Sequence, residues 1–327
     1  MPSPRILAIT LAGLIAAAPA APNALAQSAA DYPNKPIRMI QGVSPSSSSG
    51  LLGRMVADWL AKDLKQSIVV ENMSGAGGTL GMQTAAKARP DGYTLVMLTQ
   101  AQAISESLYG KLSYRLLEDF QPISQIATGY YLLTVNQNVP ARSVKELVDL
   151  AKAKPGALNY ASSGNGTGTH LAAALFNSKA GVDIVHVPFK GTAEGLAPFI
   201  NGSVQVYFLG LPSVQPLIRA GKARALAITA SKRSPDLPDL PSVAESLPGY
   251  EMTLWQGLAT VTGTPAPIVQ KLHGTILRVL NTTEAKKQFE QQGTDVETST
   301  PEAFRAYIKS QVAIFAEAIK ASGAKVE

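Results

Sequence analysis

The chain of 327 residues contains no cysteine. That absence removes disulfides, thiolate zinc sites, iron–sulfur clusters and cysteine nucleophiles together. Charge is sparse as well. Asp, Glu, Lys and Arg make up 16% of the residues, against about 25% in an ordinary globular chain. The net charge of +6 is spread thinly, and no run of five Lys or Arg occurs. A nucleic-acid arm or a polybasic membrane anchor is therefore not expected. Histidine occurs three times, at His170, His186 and His273, with no H-E-x-x-H spacing, so the sequence gives no metal site. Long apolar runs are missing too. None reaches the roughly 20 residues that cross a bilayer. What is present is 46% apolar residues, enough for a buried core. That content excludes extended disorder, and the length suits two domains or one large one.

Residues 1–26 hold one charge, Arg5, then an apolar stretch from Ile6 to Ala18, then Ala24-Leu25-Ala26. A positive start, a short apolar run and an A-x-A site form a secretory signal peptide. Cleavage before Gln27 removes 26 residues with one Arg and no acid, and leaves 301 residues with charge +5. The mature chain is expected to be soluble and periplasmic.

Along the mature chain, apolar runs alternate with helical patterns. Strands are predicted at 35–42, 67–71 and 93–98, with helices at 50–65 and 78–89 between them. That order points to a parallel sheet with crossover helices. Two consecutive strands are predicted at 121–127 and 130–136. A second α/β set follows, with helices at 143–154, 167–180, 192–201 and 212–221. Its strands are at 158–161, 183–186, 204–209 and 223–229. Ser143 and Glu146 are spaced as a capping box. Residues 234–249 are Pro-rich and irregular. A strand at 252–261 and helices at 266–280, 283–292 and 301–322 close the chain. The pattern suggests two lobes joined by two crossings. Residues 27–128 and 253–327 form one lobe and 129–252 the other.

Three small-residue loops lie between a strand and a helix. They are Ser44-Pro45-Ser46-Ser47-Ser48-Ser49-Gly50, Ser74-Gly75-Ala76-Gly77-Gly78-Thr79, and Ala161 through Thr169. Small side chains admit a ligand to the backbone, and helix starts present free N–H groups and the positive end of the dipole. At the carboxyl ends of strands such loops make an anion cradle. Any one of them taken alone is an ordinary tight turn. Nucleotide binding fits poorly, because Leu80 stands where a third glycine is expected and no P-loop exists. Catalysis fits poorly too, because no G-x-S-x-G occurs. The enzyme alternative is a secreted α/β hydrolase using a loop serine with His170.

Several stretches together resemble one family. These are Tyr32-Pro33-x-Lys35-Pro36-Ile37-Arg38, Gly75-Ala76-Gly77-Gly78 and Pro90-Asp91-Gly92-Tyr93-Thr94-Leu95. They continue with Leu158 through Thr167, His170-Leu171, and His186-Val187-Pro188-Phe189-Lys190-Gly191. Ala220-Gly221-Lys222-x-Arg224-Ala225-Leu226-Ala227 and Lys232-Arg233-Ser234-Pro235 complete the set. In this order and spacing, across the whole mature chain, they resemble the Bug-type extracytoplasmic solute receptors, the substrate-binding subunits of tripartite tricarboxylate transporters.

The resemblance implies an α/β, type II periplasmic binding protein, each lobe a sheet flanked by helices, with a ligand cleft between the lobes. It implies no enzymatic activity and no cofactor. Backbone amides of the first and third loops would hold one carboxylate, with ordered waters bridging to the second lobe. By position the cradle is Ser46, Ser47, Ser48, Ser49 and Gly50, then Ala76, Gly77 and Gly78, then Ser162, Gly166 and Thr167. His170, Phe189 and Lys190 are neighbours. The implied partners are a small organic carboxylate, di- and aromatic acids included, and the transporter's membrane subunits. The chain would act as a monomer, and the alternative partner is a membrane signalling protein.

Two departures stand out. The family's first loop usually runs Pro-Gly-Gly-Gly-Thr-Asp, where this chain has Pro45-Ser46-Ser47-Ser48-Ser49-Gly50. The family often has Asp-Asn where Leu209-Gly210 stand here. A bound ammonium group would want such an acid. The expected ligand is therefore an acid with no required amine, and the serine hydroxyls add donors for it.

Overall fold

The computed structural model describes residues 31–43, 45, 47–74 and 78–323. The predicted signal segment lies outside the described residues. The elements run β1 (Ile37–Gln41), α1 (Ser48–Leu64), β2 (Ile68–Asn72), α2 (Thr79–Ala86), β3 (Thr94–Thr99), α3 (Gln100–Leu108) and α4 (Leu116–Asp119). Next come β4 (Phe120–Asn136), α5 (Val144–Ala153), β5 (Asn159–Ser162), α6 (Gly168–Ala180), β6 (Val185–Pro188), α7 (Thr192–Ile200), β7 (Val206–Gly210), α8 (Leu211–Arg219) and β8 (Ala223–Ile228). The chain closes with β9 (Thr253–Val261), α9 (Ala266–Leu280), α10 (Thr283–Gln291), β10 (Asp295–Val296) and α11 (Pro301–Ser322).

Local chemistry sets the helix ends. Ser47 caps α1 by accepting the Gly50 N–H at 3.1 Å, and Leu52, Val56 and Leu60 of that helix are fully buried. This is the i, i+4 stripe that the sequence shows. At α5 the capping box is only half made. Ser143 Oγ accepts the Glu146 N–H at 3.1 Å, but Glu146 Oε2 reaches past Ser143 and accepts the Arg142 N–H at 2.8 Å.

The strands pair in the order β2-β1-β3-β9-β4-β7-β5-β6, with β8 and β10 also on β4. The β1–β2, β1–β3, β5–β6 and β5–β7 pairs are parallel, as βαβ order requires. β9 runs antiparallel between β3 and β4, so each half of the sheet is mixed rather than wholly parallel.

The largest difference from expectation is β4. Two strands were predicted, and one strand of 17 residues is found. Pro122 is tolerated inside it because the register with β9 shifts between Pro122 and Ser124. The partners of β4 change midway. Tyr130 pairs with Thr253 of β9, and Tyr131 pairs with Gly210 of β7. A single strand thus serves both halves of a two-lobe α/β fold. Four elements were not anticipated from the sequence: α3, α4, β10 and a 3-10 turn at Val243–Glu245. Of the C-terminal helices, α10 lies with the first half, where Phe289 stacks on Trp59 of α1 at 6.2 Å. α11 packs along α3, β4 and also α6, which Lys179 and Glu317 tie to it at 2.8 Å.

Candidate functional site

The carboxyl ends of the strands open onto a cleft of about 920 Å³. On one side it is lined by Gly42, Val43, Ser47, Ser49, Ser74, Gly78 and Thr99–Ala101. On the other side stand Ser163, Thr167, Gly168, Lys190, Gly210, Pro212 and Ser213. Residues of β4 and β9, including Thr128, Tyr131, Trp255 and Gln256, line it between them. The turn Gln292-Gly293-Thr294 completes the wall.

Five helices start at this cleft: α1, α2, α3, α6 and α8. Two are capped by their own side chains, α1 by Ser47 and α3 by Thr99, which accepts the Ala101 N–H at 3.2 Å. The N-caps of α2, α6 and α8 are Gly78, Thr167 and Gly210, and none makes a side-chain cap. The Thr167 hydroxyl instead donates to Gly164 O at 2.7 Å and lies 3.1 Å from Thr169 Oγ1. Among the described residues no N-cap side chain satisfies the first-turn N–H groups at these three starts, and the helix dipoles favour an anion there. Glycine at 78 also permits close approach of two loops. A Cβ there would stand 2.9 Å from Gln102 Nε2 and 3.2 Å from Gly42 Cα.

The charge of the cleft has one sign. Lys190 is the one charged residue among the described lining residues, and no Asp or Glu is among them. Three buried polar atoms on the lining residues have no hydrogen-bond partner among the described residues: Trp255 Nε1, Gln256 Oε1 and Gln100 Oε1. Gln256 Nε2 reaches Ser49 Oγ at 3.3 Å, and Gln100 Nε2 donates to Tyr131 Oη at 2.7 Å. Burial pushes the Tyr131 hydroxyl up to about 12, so it stays protonated.

Of the residues named from sequence, Ser47, Ser49, Gly78, Thr167 and Lys190 line the cleft. Gly50 is buried in the first turn of α1, beneath it. Ser48 opens α1, and its side chain lies outside the described ones, as do residues Ser46, Ala76 and Gly77 altogether. Ser162 is fully buried behind the loop. Gly166 faces Leu108 rather than the cleft, since a Cβ there would overlap the Leu108 side chain. Phe189 is half-buried and packs against the core cluster of the second half, which contains Phe199 and Tyr207. His170 is 4% exposed and accepts the Gly166 N–H at Nδ1, 3.0 Å. It is thus a helix-start residue that bonds its own loop.

The hydrolase alternative finds no support in this arrangement. The serine within reach of a histidine is Ser162, bonded to His186 Nε2 at 2.6 Å, not to His170. That serine is closed off from the cleft, and no carboxylate bonds His186 among the described residues. Residues that the sequence reading passed over are Thr99, Gln100 and Ala101 at the start of α3. Their signal was present, because Thr99 and Gln102 are spaced as a capping box. Both arms form: Thr99 Oγ1 caps the first turn and Gln102 Oε1 accepts the Thr99 N–H at 2.7 Å. Gly168 lies in the third small-residue loop read from the sequence, whereas Tyr131 carried no such local signal.

Residues 52–324 match the family described as the tripartite tricarboxylate transporter family receptor. Protein BugT of Bordetella pertussis is 32% identical over 326 residues, 99% of each chain. Two solved structures from Rhodopseudomonas palustris are similar. Rpa4515 with adipate is 31% identical, with a TM-score of 0.77 over 90% of this chain and 100% of that one. MatC with bound malate is 29% identical, with a TM-score of 0.73 over 88% of this chain and 100% of that one. No helix among the described residues is long and apolar enough to cross a membrane. With its two-lobe fold, its cleft of helix starts and these relatives, the chain belongs to the tripartite tricarboxylate transporter family of receptors, the Bug-type periplasmic solute-binding proteins.

Proposed function

We propose that this receptor captures a small carboxylate that needs no amine, and delivers it to the membrane subunits of a tripartite transporter. The observation that carries this is the cleft itself. Three uncapped helix starts and Lys190 face a space with no acidic residue among its described lining. A carboxylate supplies the acceptors those N–H groups lack, and an ammonium group would find no charged partner. Adipate and malate in the similar structures are both dicarboxylates, and dicarboxylates are the class to test first. The cleft volume is within the range of small-molecule sites, about 300–1,000 Å³. Binding at micromolar strength amounts to about −8 kcal/mol, a sum within reach of several charge-assisted hydrogen bonds plus apolar burial.

The proposed lobes are 27–128 with 253–327, and 129–252, with α11 lying along both. They close on the ligand, and the sheet partners of β4 change at Tyr130 and Tyr131, next to the first boundary. Export with cleavage before Gln27 would place the protein, as a monomer, in the periplasm. A thermal-shift screen against mono-, di- and tricarboxylates tests the ligand class, because a ligand that binds only the native state raises its stability. Dicarboxylates should raise the melting temperature. A panel in which no carboxylate does so would overturn the reading.

A further inference from the structure

Beneath the third loop, two imidazole rings lie face to face. His170 on α6 and His186 on β6 have ring centroids 4.0 Å apart and planes within 6°. Tyr160 of β5 stacks on His186 at 4.8 Å. Each ring holds a different end of the loop. His170 Nδ1 accepts the Gly166 N–H at 3.0 Å. His186 Nε2 bonds Ser162 Oγ at 2.6 Å, and that oxygen accepts the Gly164 N–H at 3.2 Å. Ser163, Thr167 and Gly168, on the same loop and helix start, line the cleft.

We propose that the stacked His170–His186 pair is the positioning element of the anion loop: two neutral rings, clamped to Gly166 and Ser162, fix the shape that receives a carboxylate, and protonating His170 releases the Gly166 end of the clamp. The inference about ligand rests on the carboxylate reading above; the inference about the loop does not.

The chemistry follows from which nitrogen is used. A ring that accepts at Nδ1 carries its one proton on Nε2. A second proton must go to Nδ1, where it removes the acceptor of the Gly166 N–H. Two charged rings stacked at this distance also repel. Burial, and then the neighbouring His186, hold His170 down to about 4. Burial also lowers His186.

The titratable groups on the surrounding elements are otherwise engaged. Tyr160 is in the stack, Tyr207 of β7 donates to Thr192 O, and Tyr250 donates to Ala172 O. The Lys179–Glu317 pair joins α6 to α11 at the far end of the helix. No carboxylate or cation bonds either ring among the described residues.

The test has a ligand-free arm and a binding arm. In the first, the Gly166 amide and the His170 ring signals are followed by NMR from pH 7.5 to 3.5. The Gly166 signal should move with the midpoint of the His170 ring; a flat Gly166 signal while the ring titrates would overturn the clamp. In the second, adipate affinity is measured at pH 7.5 for His170→Leu and His170→Asn. Asparagine places an oxygen acceptor where Nδ1 stands and cannot take a charge. His170→Leu should weaken adipate about tenfold, the size of a loop N–H left without its acceptor, and His170→Asn should restore most of it. Wild-type affinity in both variants would overturn the proposal. If wild-type protein binds no carboxylate, the ligand reading fails, and the Gly166 amide still decides the clamp. If His170→Leu does not fold, the Gly166 titration in wild type and in His170→Asn decides; in the variant it should be flat.

Discussion

Gln100 at the start of α3 donates through Nε2 to Tyr131 Oη at 2.7 Å, and so ties a helix start of the first half to the point where β4 changes partners. The pair stands in the cleft, beside Gly168. Tyr131→Phe keeps the ring and removes the acceptor. The half-buried Gln100 amide then loses its Nε2 partner, at a cost of about 1 kcal/mol. Urea unfolding of the two proteins measures it, and an unchanged midpoint would show that the bond contributes nothing to the fold.

Gly168 and Gly166 are two positions apart and should respond differently. A Cβ at Gly168 would overlap Tyr131 Oη and stand 2.6 Å from Gln100 Nε2. Gly168→Ala should therefore push this pair apart and weaken dicarboxylate binding in folded protein. A Cβ at Gly166 points instead at Leu108, and its φ of +72° disfavours any side chain. Gly166→Ala should lose about 1–2 kcal/mol of stability and disturb the cleft less. Equal affinity losses, at matched folded fractions, would contradict this division.

Lys190 is exposed at the rim of the cleft. An exposed charge pair contributes about 1 kcal/mol or less. Lys190→Gln should weaken a dicarboxylate about two- to fivefold at low salt, and the difference should shrink as salt is added. Isothermal titration at two ionic strengths decides it; a loss that is independent of salt would mean that Lys190 acts through packing.

Acid should destabilise the protein through His170. His170 is held at about 4 in the fold, against 6.5 ordinarily. Between those values the unfolded chain binds more protons than the folded one, so stability falls as pH falls. The contribution is complete above 6.5 and lost by about pH 4, at up to about 1.4 kcal/mol per pH unit. His170→Asn cannot titrate, so its stability should fall less steeply over this window. Parallel unfolding curves at pH 7, 6, 5 and 4 would remove His170 from the account.

The lack of an acid in the cleft bears on the ligand's other end. Gly210 lines the cleft and Gly50 lies beneath it, each where the family's pattern has an acidic or amide residue at or beside it. Succinate and glutarate should bind more tightly than aspartate and glutamate, which bring an ammonium group with no charged partner. Tighter binding of the amino acids would show that the ammonium is met by groups such as Gln256 Oε1 or Gln100 Oε1.

The element order was legible because short-range chemistry writes it. The Leu52, Val56, Leu60 stripe of α1 and the small-residue turns before α1, α2 and α6 depend on neighbours a few residues away. So did the expectation of an anion cradle, since a strand followed by glycines and a helix start has the same physics wherever it occurs. The motifs across the mature chain added the family. Tertiary structure alone decided the rest. That β4 is one strand follows from β9, β7 and β8 pairing along it, segments about 70 to 140 residues away. The side of Gly166 that Leu108 occupies, the Gln100–Tyr131 bond and the His170–His186 stack join residues that no local spacing relates. A cradle can be read from local conformation, because a loop's N–H groups belong to its own backbone. What lines it, holds it and closes it comes from side chains distant in sequence, and only their packing assigns those roles.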